Sequence, residues 1–358
     1  SSPYRRHNSR ERSGSALGVL KAGGREMKIG GSINSEESLI GRTFDIEDDA
    51  GVSLDTLLSG IGVGKFHWRL MAICGAGWTA DNGWTQSVVM IVPSVQREFG
   101  IKDWQIGFLG SGLFLGMAVG SHFWGKWADT TGRRFAFNAT LAIAGCFGVA
   151  AAISPNFPVL VVMYFIIGTG VGGNLPVDGA MFAEFTPKVE RGRLMVLLSV
   201  FWSVGGFLVS LFAWILIPRY SCPEHGGCHW HGNLGWRYVV GGFGALNVIV
   251  VALRAGLPET PAFLVSQGDL EGARNVLHQM ARQNGHQDSL DTKIDNLAVS
   301  GPLIVDDDYL DLDEESSYIA SIKVLFRGRH MFLTTLLLWG IWFCSTYAYG
   351  GFNMFLTK

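Results

Sequence analysis

Long apolar runs separated by short polar joints dominate the chain from residue 70 to residue 257, and one more apolar run closes it. A helix needs about 20 mostly apolar residues to cross the hydrocarbon of a bilayer. Residues 70–93, 104–124, 135–153, 159–184, 194–218 and 236–257 each meet that length, and 331–356 makes a seventh. Any one of these could be a buried helix of a soluble protein. Six in succession, joined by short polar turns, predict spans instead. The fold class is therefore an all-α membrane protein, with a six-helix bundle over 67–257 and a seventh transmembrane helix over 331–358.

The polar remainder falls into two blocks. Residues 1–66 are rich in Ser, Gly, Arg and Glu without a sustained apolar period, and are expected as a disordered cytosolic tail in which Ser9, Ser13 and Ser35 could be phosphorylated. Residues 258–330 form a loop too long and polar for a simple connection. Within it, Asp269 suits a helix N-cap, Gly285 suits a stop, and Ala273, Val276, Leu277 and Met280 share one face of an amphipathic helix. The acidic run 306–315 reads as a solvated segment.

Composition agrees with a chain partly solvated by lipid. Charged residues make up 16% of it, against about a quarter in soluble domains. The net charge of −2 and the lack of basic clusters interleaved with aromatics leave no basis for a nucleic-acid partner. Lys126, Arg133 and Arg134 follow the second span, and Lys188, Arg191 and Arg193 follow the fourth. The positive-inside rule places those joints, the N-terminus and the 258–330 loop in the cytosol. The first apolar stretch starts far from Ser1, so the first span is expected to act as its own insertion signal.

Several intramembrane residues are candidates for chemistry. Asp81 lies in the middle of the first span, where a charge costs about 2.5–3.5 kcal/mol and must face a cavity or a partner. Gln86 extends the same polar lining. Asn174 and Asp178 are one turn apart on the fourth span, with Pro176 between them to loosen the helix. A substrate or proton site and a structural hydrogen-bond network are both open readings. In the outer loop, Cys222 and Cys228 lie on the oxidising side, where a disulfide is the default. His225, His229 and His231 invite a metal reading, but their spacing fits no standard finger and no metal site is assigned. Cys74, Cys146 and Cys344 fall inside spans as small apolar residues. No nucleophile elbow, phosphate-cradling loop or zinc-protease helix occurs, so an enzyme is not expected and no cofactor is assigned.

The joint after the second span reads Gly125-Lys-Trp-Ala-Asp129-Thr-Thr-Gly132-Arg133-Arg134. It resembles the signature loop of the major facilitator superfamily, at the position where that family carries it. Glu184 and Arg191, the glycines 168, 170, 172 and 173, and Pro258-Glu259-Thr260-Pro261 are similar to elements of its sugar-porter branch. Ala80-Asp81-Asn82-Gly83-Trp84 and the stretch from Gly172 to Asp178 look closer to the synaptic-vesicle-glycoprotein-like transporters, including fungal members. Tyr164, Ala262 and Trp84 depart from the sugar-porter and proton-symporter patterns.

The resemblance implies a multi-pass secondary transporter, moving a small organic solute by alternating access, with protons as the candidate coupling ion. The lipid bilayer and the solute are its expected partners, and the plasma membrane its expected location. Asp81, Asn174 and Asp178 would line the central cavity. Gly125, Asp129, Gly132, Arg133, Arg134, Glu184, Arg191 and Arg193 would gate its cytosolic side. A non-transporting receptor on the same scaffold is the alternative. The family has two six-helix halves, so a sequence reaching only the seventh span is expected to be truncated.

Overall fold

The computed structural model describes residues 53–222, 232–285, 294–295, 325–326 and 328–356, with side chains described as far as residue 349. The three N-terminal serines, Cys228, the three loop histidines and the acidic run 306–315 lie outside the described residues.

The apolar runs become helices, each starting before its predicted first residue. The spans are α2 (Lys65–Phe99), α3 (Asp103–Thr131), α4 (Arg133–Ala151), α5 (Phe157–Phe185), the pair α6 (Lys188–Leu198) and α7 (Val200–Tyr220), α8 (Gly235–Arg254) and α11 (Gly328–Leu356). They are preceded by a short α1 (Leu54–Ile61), while α9 (Pro261–Ser266) and α10 (Leu270–Asn284) follow α8. Helices α6 and α7 form one 33-residue span with a tight turn at Ser199.

Among the described residues, six spans are long and apolar enough to cross a membrane on length and composition alone. Helix α2, the expected first span, is not one of them. Asp81, Asn82, Gln86 and Ser87 dilute its apolar character, and all four are buried inside the bundle, away from lipid. Aliphatic and aromatic side chains such as Phe108, Leu115, Phe207, Trp214 and Ile249 instead form the exposed outside, as a hydrocarbon solvent requires.

The packing repeats itself. Helix α3 lies against α5, and α2 lies against α7, so each half of the bundle crosses over to the other. Helix α4 meets both α5 and α8. The α3–α5 contact is close because its meeting residues are small. A Cβ on Gly116, Gly120, Gly168 or Gly172 would stand 2.0–2.2 Å from a carbonyl oxygen of the facing helix. Dispersion contact between backbones is what holds helices together in lipid, where hydrophobic exclusion contributes little. The glycines expected from the fourth-span series thus serve packing.

At the polar end, α10 is capped by the Asp269 carboxylate, which accepts from the Gly272 N–H at 2.8 Å, and stops at Gly285 with φ +85°. Its stripe of Ala273, Val276, Leu277 and Met280 is buried against Leu57, Leu58 and Ile61 of α1. Residues 54–61 are therefore helical rather than part of a disordered tail. An eight-residue helix is marginal by itself. Burial of each aliphatic side chain against α10 adds about 1.5–3 kcal/mol, a contribution invisible in the local sequence. Asn284 ties the two ends together, donating to the Gly62 carbonyl at 3.0 Å and accepting from the Phe66 N–H at 3.1 Å.

Candidate functional site

Three polar constellations sit at three depths of the bundle, and the deepest is the most unusual. Asp81 on α2, Asn174 and Asp178 on α5, and Arg254 at the last turn of α8 are all buried. The side-chain amide of Asn174 donates to Asp81 Oδ2 at 3.0 Å and to Asp178 Oδ2 at 3.1 Å. Arg254 reaches the cluster from the other side. Its Nη2 donates to Asp178 Oδ2 at 2.7 Å, and its Nη1 donates to Asn174 Oδ1 at 2.8 Å and to the Phe137 carbonyl at 2.6 Å. Thr140 adds a further donor to Asn174 Oδ1 at 3.2 Å, and the guanidinium lies 3.8 Å over the Phe137 ring.

The local backbone makes room for this cluster. A Cβ at Gly77 would come within 1.8 Å of Arg254 Nη2 and 1.9 Å of Asp178 Oδ2, so only glycine fits there. The guanidinium therefore pairs with Asp178, and Asn174 ties Asp81 to the same cluster, with the fourth span as the hub. Pro176 does not break that span; α5 runs unbroken through it.

The sequence expectation put Asp81, Asn174 and Asp178 on a cavity wall, and the structure places them behind it. The cavity has a volume of about 580 Å³ and lies between α2, α3, α5, α7 and α11. Trp78, Thr85, Gln86, Phe114, Leu175, Trp202, Trp342 and Tyr349 are among the residues lining it. Gln86 is the one sequence-selected residue on that wall, and its amide donates to the Tyr349 hydroxyl, joining the first and seventh spans. Asp178 and Asn174 meet Arg254, and Asp81 meets Asn174, because an ionisable group in hydrocarbon is held more cheaply by a buried partner than by an open space.

At the end of the bundle that carries the α3–α4 joint, Arg133 pairs with Asp129 and with Glu184, the latter at 3.1 Å. Glu184 also accepts from the Thr260 hydroxyl at 2.6 Å. Glu259 caps α4, taking the backbone N–H groups of Arg133 at 3.0 Å and Arg134 at 3.1 Å, while Arg134 donates from its side chain to the Ala255 carbonyl. Gly132, at φ +114°, gives the turn that lets this happen. Gly125 is half-buried on α3 with open space beside it. Asp129, Gly132, Arg133, Arg134 and Glu184 thus meet, and Glu259 and Thr260 join them. Arg191 instead donates to the Thr186 carbonyl, and the exposed Arg193 stands 3.8 Å from Glu190, so neither enters the network.

At the opposite end, Glu98 accepts from Arg237 at 2.5 Å, from the Trp236 indole at 2.7 Å and from Asn233 at 2.9 Å. Arg237 continues to the Ala152 and Ser154 carbonyls, so α2, α4 and α8 are clamped together there. Cys222, in the neighbouring loop, is disulfide-bonded. Cys74, Cys146 and Cys344 are free. Among the described residues, no group of three or more His, Cys, Asp or Glu side chains could hold a metal ion.

Arg254, Arg237 and Glu98 were not singled out from the sequence. The signal was present, since both arginines fall within the apolar run 236–257, where a cation needs a buried partner.

The profile described as Major Facilitator Superfamily matches residues 58–358. Two fungal relatives are similar over most of this chain. The major facilitator-type transporter hxnZ of Emericella nidulans is 33% identical over 84% of this chain and 56% of its own length. The MFS siderochrome iron transporter 1 of Ceriporiopsis subvermispora is 35% identical over 83% of this chain and 58% of its own. The niacin transporter NiaP of Acinetobacter baylyi is 29% identical over 84% and 61%. The chain spans a little over half the length of these relatives. Among solved structures, the partially occluded inward-open xylose transporter XylE of E. coli superposes with a TM-score of 0.54, at 20% identity, over 64% of this chain and 59% of that one. That likeness shows a shared fold.

Proposed function

The chain belongs to the major facilitator superfamily, and from that premise we propose that it works as a secondary active transporter of a small organic solute by alternating access. One observation carries the reading. A cavity of about 580 Å³ opens between α2, α5, α7 and α11, where this architecture keeps its solute. The relatives named as transporters of siderochrome iron and of niacin support movement of a small organic solute rather than receptor function alone.

Gln86 is proposed as a solute contact. Asp81, Asn174 and Asp178 are proposed as the proton-responsive cluster behind it. With two carboxyl groups against one guanidinium, one bound proton leaves the cluster electrically neutral, and a change of that state alters the α2–α5–α8 contact. Asp129, Arg133 and Glu184, with Gly125, Gly132 and Arg134 shaping the joint, are proposed to lock the cytosolic side. Arg191 and Arg193 serve as positive-inside anchors. The N-terminus and the 258–330 segment lie in the cytosol in this reading, and the membrane is the plasma membrane.

Uptake into proteoliposomes under an inward proton gradient tests it, with labelled nicotinamide, nicotinate and D-xylose as solutes. The wild type accumulates at least one of them, and Asp81→Asn, folded by size-exclusion chromatography, reduces the initial rate about tenfold or more. A wild type that moves no solute down an imposed gradient would end the transport reading.

A further inference from the structure

We propose that the cavity selects a flat, uncharged aromatic solute with few hydroxyl groups, in preference to a sugar or an ion. Any movement of the bound solute rests on the transporter reading, but the selectivity itself is a property of the wall. Three indoles, those of Trp78, Trp202 and Trp342, line the cavity together with Phe114 and Tyr349. Trp78 and Trp202 meet edge to face at 6.5 Å and 85°, an arrangement in which each ring braces the other. Trp202 is also held from behind, since Asn82 donates to its backbone carbonyl at 2.7 Å. Rigid aromatic walls of this kind recognise a planar π surface by stacking.

The polar groups on the wall are largely committed. The hydroxyl of Thr85 donates to the Asp81 carbonyl at 3.0 Å, that of Ser199 donates to the Val196 carbonyl at 2.6 Å, and the Gln86 amide donates to Tyr349. A sugar brings a hydroxyl on nearly every carbon, each needing a partner once water is removed. Aromatic and aliphatic side chains outnumber such partners on this wall. Ser345 and Thr346 are the remaining hydroxyls of the wall besides Tyr349. A solute with a ring and few hydroxyls answers that pattern.

Charge is excluded by the same wall. Among the described residues lining the cavity, none carries a formal charge. The nearest ionisable groups, Asp81, Asp178 and Arg254, are engaged with Asn174 and one another. An ion entering this space would lose its hydration without gaining a counter-charge.

Equilibrium binding to the purified chain in detergent micelles decides the matter, with nicotinamide as the neutral ring, nicotinate as its anion and D-xylose as the polyol. Nicotinamide is expected to bind about tenfold or more tightly than either. Trp202→Leu should weaken it roughly three- to tenfold, and Trp78→Phe, which reduces the aromatic surface of the wall, roughly threefold. Trp214→Leu, on the exposed outer face of α7, should leave it unchanged. If Trp202→Leu does not fold, Trp78→Phe carries the test. Equal binding of xylose, absent binding of nicotinamide, or indifference of a folded Trp variant would overturn the inference. Nicotinamide binding without any uptake would leave it standing and remove the transport reading; xylose uptake without nicotinamide binding would do the reverse.

Discussion

Replacing Arg254 by methionine removes one guanidinium and leaves the stem's volume nearly filled. In the native bundle that group makes three hydrogen bonds, to Asp178, to Asn174 and to the Phe137 carbonyl, and stacks on the Phe137 ring. Both ends of the ion pair are wholly inaccessible to solvent. Breaking such a pair from one side strands a buried carboxylate and costs about 3–5 kcal/mol. For a bundle of this size each kcal/mol lowers the melting temperature by roughly 2–4 °C, so a drop of about 6–20 °C is expected. Size-exclusion chromatography of heated, detergent-solubilised protein reads it directly. The companion change Asp178→Asn removes the stranded charge, and Arg254→Met with Asp178→Asn should recover more than half of the loss. If Arg254→Met melts with the wild type, or the double variant is no more stable than the single, the cluster is not a coupled ion pair and the account of its burial is wrong.

The same cluster predicts that Gly77→Ala lowers the melting temperature by several degrees, since the new methyl must part Arg254 from Asp178. Gly107→Ala on α3, where nothing lies within 4 Å of the new atom, should be neutral or slightly stabilising in the same assay. At the other end of the bundle, Glu98→Gln removes the charge that Arg237 pairs with at 2.5 Å; a loss of up to about 3–5 kcal/mol is expected, seen as faster hydrogen exchange at the last turn of α2 and the first turn of α8.

The range of each interaction sets how much of the fold and site was legible in the sequence. The spans were readable because hydrocarbon tolerates only helices whose length and apolarity are written locally. The cap at Asp269, the stop at Gly285 and the stripe of α10 were readable for the same reason, each depending on residues within a few positions. Helix α1 was not, because its stability comes from α10, which lies far along the chain. Asp81, Asn174 and Asp178 could be marked as expensive residues needing partners. Which partner they found could not, since Arg254 lies on another helix and its reach depends on the empty space at Gly77.

The sequence by itself determined the solvent, the number and type of the long helices and the turn chemistry between them, because those depend on hydropathy, helix period and capping. Tertiary structure alone decided that the acidic residues face inward to an arginine while indoles face the cavity, and that Glu259 caps α4 from beyond the end of α8. The reason is geometric. A helix offers its polar residues a choice of faces, and only the neighbours that close around it fix which face meets a charge, which meets lipid and which meets the solute.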